Sequence, residues 1–152
     1  MTVPREFNLR AADLHEIIVH DRLHGGGESE ERIASELARN SFSPDDAFAV
    51  KLALEEALTN ALKHGNNDDA NKKVIVRYLI NHARAVIMVR DEGPGFSPNR
   101  IPDPTADENL ERPCGRGIML MHAYMTRIHF NKSGNEVWML KEKRPRRSAS
   151  FG

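Results

Sequence analysis

The chain holds a single cysteine, Cys114, among 152 residues. A lone thiol excludes an intrachain disulfide and a zinc cage built from several thiolates. Long apolar runs are also missing: stretches such as Ala85-Val86-Ile87-Met88-Val89 fall far short of the roughly 20 residues a membrane helix needs. The amino terminus shows no charged-then-apolar leader, so the expected location is the cytoplasm, away from any membrane. Net charge is absent too, with 22 basic against 22 acidic residues, but the balance hides an asymmetry. Residues 141–147 carry five basic groups and one acidic, leaving 17 basic against 21 acidic elsewhere. A mildly acidic body with a short basic tail lacks the positive face of a nucleic-acid-binding domain. Neither internal repeats nor low-complexity blocks occur, and the length suits one domain with a real core, residues 1–141, followed by a basic, disordered tail over 142–152.

What the chain does have is concentrated in Leu54-Glu55-Glu56-Ala57-Leu58-Thr59-Asn60-Ala61-Leu62-Lys63-His64. Ser43-Pro44-Asp45-Asp46 is a strong helix start upstream of it: a capping serine, a proline suited to the first helical position, and aspartates at the positive end of the dipole. The helix should end where Gly65-Asn66-Asn67 begins. Glu56 and Asn60, four residues apart, then share one helical face, whereas Glu55 points some 100° away into solvent. A carboxylate beside a carboxamide in an apolar run is either a site for a cation and a nucleophile or a polar pair at an exposed helix end. Uncompensated burial of such groups costs about 1–3 kcal/mol each.

Around this helix the pattern is mixed. Residues 6–9, extended as far as 14, read as a first strand, although 14–19 equally suit the start of a helix. Gly25-Gly26-Gly27 interrupts regular structure, and 30–39 reads as a short helix with Ile33, Leu37 and Ala38 on one side. Residues 73–80 and 84–90 form an antiparallel hairpin whose second strand leads into Asp91. Residues 97–114, with four prolines, show no periodicity and suit a functional loop such as a lid. A helix over 118–124 and a hairpin of 127–131 with 136–141 complete a two-layer α/β sandwich, a mixed, largely antiparallel sheet under helices. His15, His20 and His24 lack the carboxylate or thiol spacing of a metal cluster and read as a solvated face. His64 suits the negative end of its helix.

Two glycine clusters follow, Asp91-Glu92-Gly93-Pro94-Gly95-Phe96 and Gly115-Arg116-Gly117-Ile118-Met119-Leu120-Met121. In this order the three segments resemble the N-box, G1-box and G2-box of the GHKL ATP-binding superfamily, whose members include gyrase, histidine kinases and MutL. Within it, the segment from Glu56 to Gly65 looks most like the anti-sigma factor serine kinases of the RsbW type. The resemblance covers about residues 43–141 and implies a Bergerat-type fold holding Mg²⁺ and ATP.

By that resemblance, Asn60 is the metal ligand and Glu56 the base toward an attacking hydroxyl. Asp91 accepts the exocyclic amine of adenine, with Gly93 and Gly95 letting backbone approach the base. Gly115, Arg116 and Gly117 open a helix whose N–H groups suit phosphate oxygens. One departure is that no threonine stands in register in Gly134-Asn135-Glu136-Val137-Trp138, where relatives often support the adenine pocket. The implied activity is ATP-dependent phosphorylation of a serine on an anti-sigma factor antagonist, with a sigma factor as second partner and a homodimer as the common assembly. An ATP-gated binding module without phosphoryl transfer is the alternative, and retention of Glu56 favours the enzyme.

Overall fold

The computed structural model describes residues 2–69, 71–94 and 121–143. Gly95, Cys114, Gly115, Arg116, Gly117, the proposed lid over 97–114 and the tail beyond 143 lie outside the described residues.

Five strands, β1 His15–Val19, β2 Val74–Ile80, β3 Arg84–Arg90, β4 Arg127–Phe130 and β5 Glu136–Glu142, form one sheet in the order β1-β2-β3-β5-β4. Among the described residues every strand pairing of the sheet is antiparallel, with Ile17 opposite Val76, Tyr78 opposite Ile87 and Met88 opposite Trp138. Among the described residues, helices α1 Gly26–Arg39 and α2 Pro44–Thr59 pack on one face together with the helical residues 121–124, and α2 runs on into a π-helical segment, Asn60–Gly65. The fold is the mixed α/β sandwich expected of a Bergerat ATPase.

Alternation along the strands explains the layering. Ile87 and Val89 of β3 and Met139 of β5 point at Val50, Leu54 and Leu58 of α2, while Val86, Met88, Trp138 and Leu140 point the other way. That outer face is covered by the N-terminal segment: Phe7 is fully buried and its ring lies 5.8 Å from Trp138. Arg84 clamps the segment by donating from its guanidinium to the carbonyls of Phe7 and, at 2.9 Å, Asn8.

The first strand is therefore neither of the two readings the sequence allowed. Residues 5–7 form a 3₁₀ turn, and the strand is His15–Val19, whose Ile17 and Val19 face the helices. Pairing with β2 decides this, since five residues are too few for periodicity to separate strand from helix. The glycines do not interrupt α1: Gly25 turns the chain at φ 102° and α1 begins at Gly26, with Ser29 donating its amide to the Gly25 carbonyl at 2.9 Å. Ile33 and Leu37 are buried, but Ala38 is exposed, a helical step away from the Leu37 face. Ser43 caps α2 through its Oγ, which accepts from the Asp46 amide at 3.1 Å.

Strand β5 continues past residue 141, and Lys143 is tied down as well, its amide donating to Ala83 O at 2.9 Å and its Nζ to Asn40 O at 2.7 Å. Removal of 144–152 should leave the melting temperature unchanged, whereas ending the chain at 141 removes these anchors and should cost about 1–2 kcal/mol. Thermal melts of the two truncations check this. Among the described residues no helix is long and apolar enough to cross a membrane.

Candidate nucleotide-binding site

The site grows from the last turns of α2. Leu54, Ala57, Leu58 and Ala61 face the core, which turns Glu56 and Asn60 toward a half-buried flank and leaves Glu55 in solvent. From Asn60 the helix widens, and the Asn66 amide reaches back to Ala61 O at 2.8 Å, a five-residue step. Such π segments recur where a helix must re-aim side chains at a functional site.

The Asn60 Oδ1 atom is buried, and among the described residues it is the one buried side-chain polar atom with no hydrogen-bond partner. An acceptor left this way costs about 1–3 kcal/mol, so an arrangement that keeps it calls for a ligand. A carboxamide oxygen suits a hard cation, and Mg²⁺ takes one or two ligands from protein while phosphates and water supply the rest. The donor set therefore fits a magnesium ion held at Asn60, with Glu56 one turn earlier on the same face. No group of three or more His, Cys, Asp or Glu side chains able to hold a metal occurs among the described residues. His24 is bonded to Asp21 at 2.8 Å and the His15 ring lies 5.2 Å from that of Tyr78, so these histidines have other partners. His64 is exposed at the end of the π segment.

Asp91 is brought against the end of that segment by close backbone approach. A Cβ on Gly65 would lie 2.3 Å from the Asp91 carboxylate, and one on Gly93 would lie 1.9 Å from the Gly65 carbonyl oxygen. Only hydrogen fits at either position, so helix end, carboxylate and loop share one packed contact. Asn66, itself buried, ties it together: its Oδ1 accepts from the Glu92 amide at 2.8 Å and its Nδ2 donates to Lys73 O at 3.0 Å. From the sheet side, the Asp91 amide donates to Asn135 O at 2.9 Å.

The Asp91 carboxylate accepts the Gly93 amide at 2.8 Å. Burial pushes its pKa up from the ordinary aspartate value, opposed by the Gly93 hydrogen bond and by Lys72 and Arg90. A desolvated acceptor of this kind binds an amine donor more strongly than a solvated one does. Next to it Glu136, also buried, accepts from the Trp138 indole at 3.0 Å and pairs with Arg90 at 3.6 Å, fixing the strand end that carries Asn135.

Of the residues singled out in the sequence, Glu56 in the last turn of α2 and Asn60 at the start of the π-helical segment share one helical face, and Gly93 lies with Asp91. Gly65 and Asn66 join them as residues that motif reading did not assign, although their place directly after the helical box was a signal for a built helix end. Replacing Gly65 by Ala should force the Asp91 carboxylate aside, destabilising the fold by about 1–3 kcal/mol and weakening nucleotide binding. Thermal melts with and without ATP report both.

A family model for the histidine kinase-like ATPase domain matches residues 29–141. The serine-protein kinase RsbW of Bacillus subtilis is 31% identical over 113 residues, covering 68% of this chain and 69% of that protein. The anti-sigma F factor of Geobacillus stearothermophilus is 32% identical over 99 residues, covering 63% and 67%. A second anti-sigma F factor, from Oceanobacillus iheyensis, is 27% identical over 116 residues, covering 72% and 79%.

Proposed function

The chain belongs to the histidine kinase-like ATPase domain family, and on that premise we propose that it is an anti-sigma regulatory factor and protein serine kinase. It binds Mg·ATP and transfers the γ-phosphoryl group to a serine of an antagonist protein in a partner-switching system, working in the cytoplasm. The observation that carries this reading is the buried, unpartnered Asn60 Oδ1 beside Glu56. Asp91 and Gly93, the residues of the proposed adenine seat, pack against Gly65 at the end of the π-helical segment. Relatives named as a serine-protein kinase and as anti-sigma factors support both halves of the proposal.

Each residue then has a task. Asp91 accepts the exocyclic amine of adenine, and Gly93 and Gly95 let backbone lie against the base. Gly115, Arg116 and Gly117 receive the phosphates, and residues 97–114 close over them as a lid. When bound at Asn60, magnesium offsets phosphate charge. Glu56 takes the proton of the acceptor serine as its oxygen bonds to the γ-phosphorus and the bond to the ADP oxygen breaks, a reaction that rests mainly on positioning and electrostatics. The same reading assigns the sigma factor as the second partner and a homodimer as the assembly.

Incubating the chain with Mg·ATP and the antagonist protein of the same organism, then locating phosphate by mass spectrometry, tests the assignment. Phosphate on an antagonist serine is the expected result. ATP-dependent antagonist binding with an unmodified antagonist would instead select the ATP-gated binding module.

A further inference from the structure

Residues 3–14 cross the outer face of the sheet as a strap. Glu6 meets Nδ1 of His129 on β4 at 3.1 Å, Phe7 packs on Trp138 of β5, and Arg84 of β3 holds the Phe7 and Asn8 carbonyls before Leu14 leads into β1. Val3, Leu9 and Leu14 lie beside Phe7 against the cluster of Val86, Met88, Trp138 and Leu140. Phe7 and Trp138 are both fully buried, so each shields the other from water. None of the tasks assigned above to the nucleotide-binding residues uses this face, yet one end of it lies next to Asp91.

That end is the last rung of the β3–β5 ladder. Arg90 stands opposite Glu136 there, and Asp91 follows one residue beyond, held to the sheet by its amide bond to Asn135 O and by a longer bond, 3.4 Å, from Asn135 Nδ2 to Asp91 O. Ladder ends fray unless side chains hold them. Two side chains meet the Glu136 carboxylate, and their surroundings rank them. Arg90 is 48% exposed and 3.6 Å away, where solvent screens an ion pair to little net worth. The Trp138 indole donates to the same carboxylate at 3.0 Å within the buried layer, and a hydrogen bond to a charged group sheltered from water is worth more. Trp138 is therefore the main tie on Glu136, and Phe7 keeps water from that tie. Asp91 has little room for displacement, since a Cβ on Gly65 would already lie 2.3 Å from its carboxylate.

Resting on the reading of Asp91 as the adenine acceptor, we propose that Phe7 of the N-terminal strap and Trp138 beneath it are positioning residues for the nucleotide seat. Phe7 holds the indole dry, the indole holds Glu136, and Glu136 holds the strand end from which Asp91 meets adenine. Loosening the strap lets that strand end fray and moves the carboxylate off its line to the exocyclic amine. Affinity for ATP then falls without any change to a residue that touches it.

The test uses the full chain and calorimetric titration with Mg·ATP and Mg·GTP. Trp138→Phe keeps an aromatic ring under Phe7 but loses the N–H, and Phe7→Ala uncovers the indole; each is made alone and together with Asp91→Asn. Phe7→Ala leaves a cavity and lowers the melting temperature whatever its role, so stability is not the readout, and Trp138→Phe carries the test if Phe7→Ala does not fold. We expect each variant to lose about fivefold or more in ATP affinity, the lower end of typical coupling between sites. The preference for ATP over GTP should fall by a similar factor. In the Asp91→Asn background neither change should cost anything further, because the group they position is already gone. The emission of Trp138, the only tryptophan in the chain, should shift to the red in Phe7→Ala. Wild-type ATP affinity and selectivity in either folded variant, or a loss as large in the Asp91→Asn background as outside it, overturns the proposal and leaves the adenine seat standing. An unshifted emission overturns the step from Phe7 to Trp138. Wild-type ATP affinity in Asp91→Asn alone removes the adenine seat, and the proposal with it.

Discussion

Replacing Glu56 by Gln is expected to lower phosphoryl transfer by about 10²–10⁴-fold, the usual contribution of a general base, while leaving ATP affinity almost unchanged. Glu56 lies on α2 one turn before Asn60, half-buried and on the same helical face. The amide keeps the size and hydrogen-bonding reach of the carboxylate but cannot take a proton from serine. Surface shape is unaltered, so binding to the unphosphorylated antagonist should survive. A transfer rate and an ATP titration on the same preparation separate the effects. Near-wild-type transfer would remove Glu56 from the chemistry.

The second large effect belongs to Asp91. A charge-assisted hydrogen bond contributes about 1.5–3 kcal/mol, so Asp91→Asn should weaken ATP about ten- to a hundredfold, with or without magnesium. Selectivity for ATP over GTP should fall with it, because guanine offers an oxygen where adenine offers the amine. The same carboxylate sets a pH dependence. Burial raises its pKa, so on acidification it takes up a proton above the ordinary aspartate range and loses the charge that strengthens the hydrogen bond. Wild-type ATP affinity should therefore decline on the acid side earlier than an unperturbed aspartate would allow, and Asp91→Asn should lack that step. Titrations across the acid range report it, and identical pH profiles would contradict the role given to Asp91.

Legibility in the sequence followed the range of the interactions. Ser43-Pro44-Asp45-Asp46 announced α2 because capping is local, and the Ser43 bond to the Asp46 amide spans three residues. Glu56 and Asn60 could be placed on one face because helical spacing is local too, and the β2–β3 hairpin declared itself by its own two runs. The first strand did not, since His15–Val19 is a strand by virtue of pairing with Val74–Tyr78, some 60 residues away. Gly25 turned out to launch α1 instead of breaking it, because its left-handed conformation lets the chain turn tightly onto β1. Gly65 and Asn66 acquire their roles only when the loop after β3 meets the end of α2, a long-range approach that no periodicity encodes. The widening of the helix at Asn60, which accompanies the burial of its oxygen, has no composition signal at all.

On the proposed assignment, the unpartnered oxygen of Asn60 is a ligand for magnesium carried in with ATP. Calorimetric titration of wild type and Asn60→Ala with ATP, each with and without Mg²⁺, tests it most directly. Loss of groups even one shell away from a metal costs about 10–100-fold in metal affinity. Asn60→Ala should therefore lose about tenfold or more of its Mg·ATP affinity while metal-free ATP binding stays near wild type. Equal enhancement by magnesium in the two proteins would contradict it.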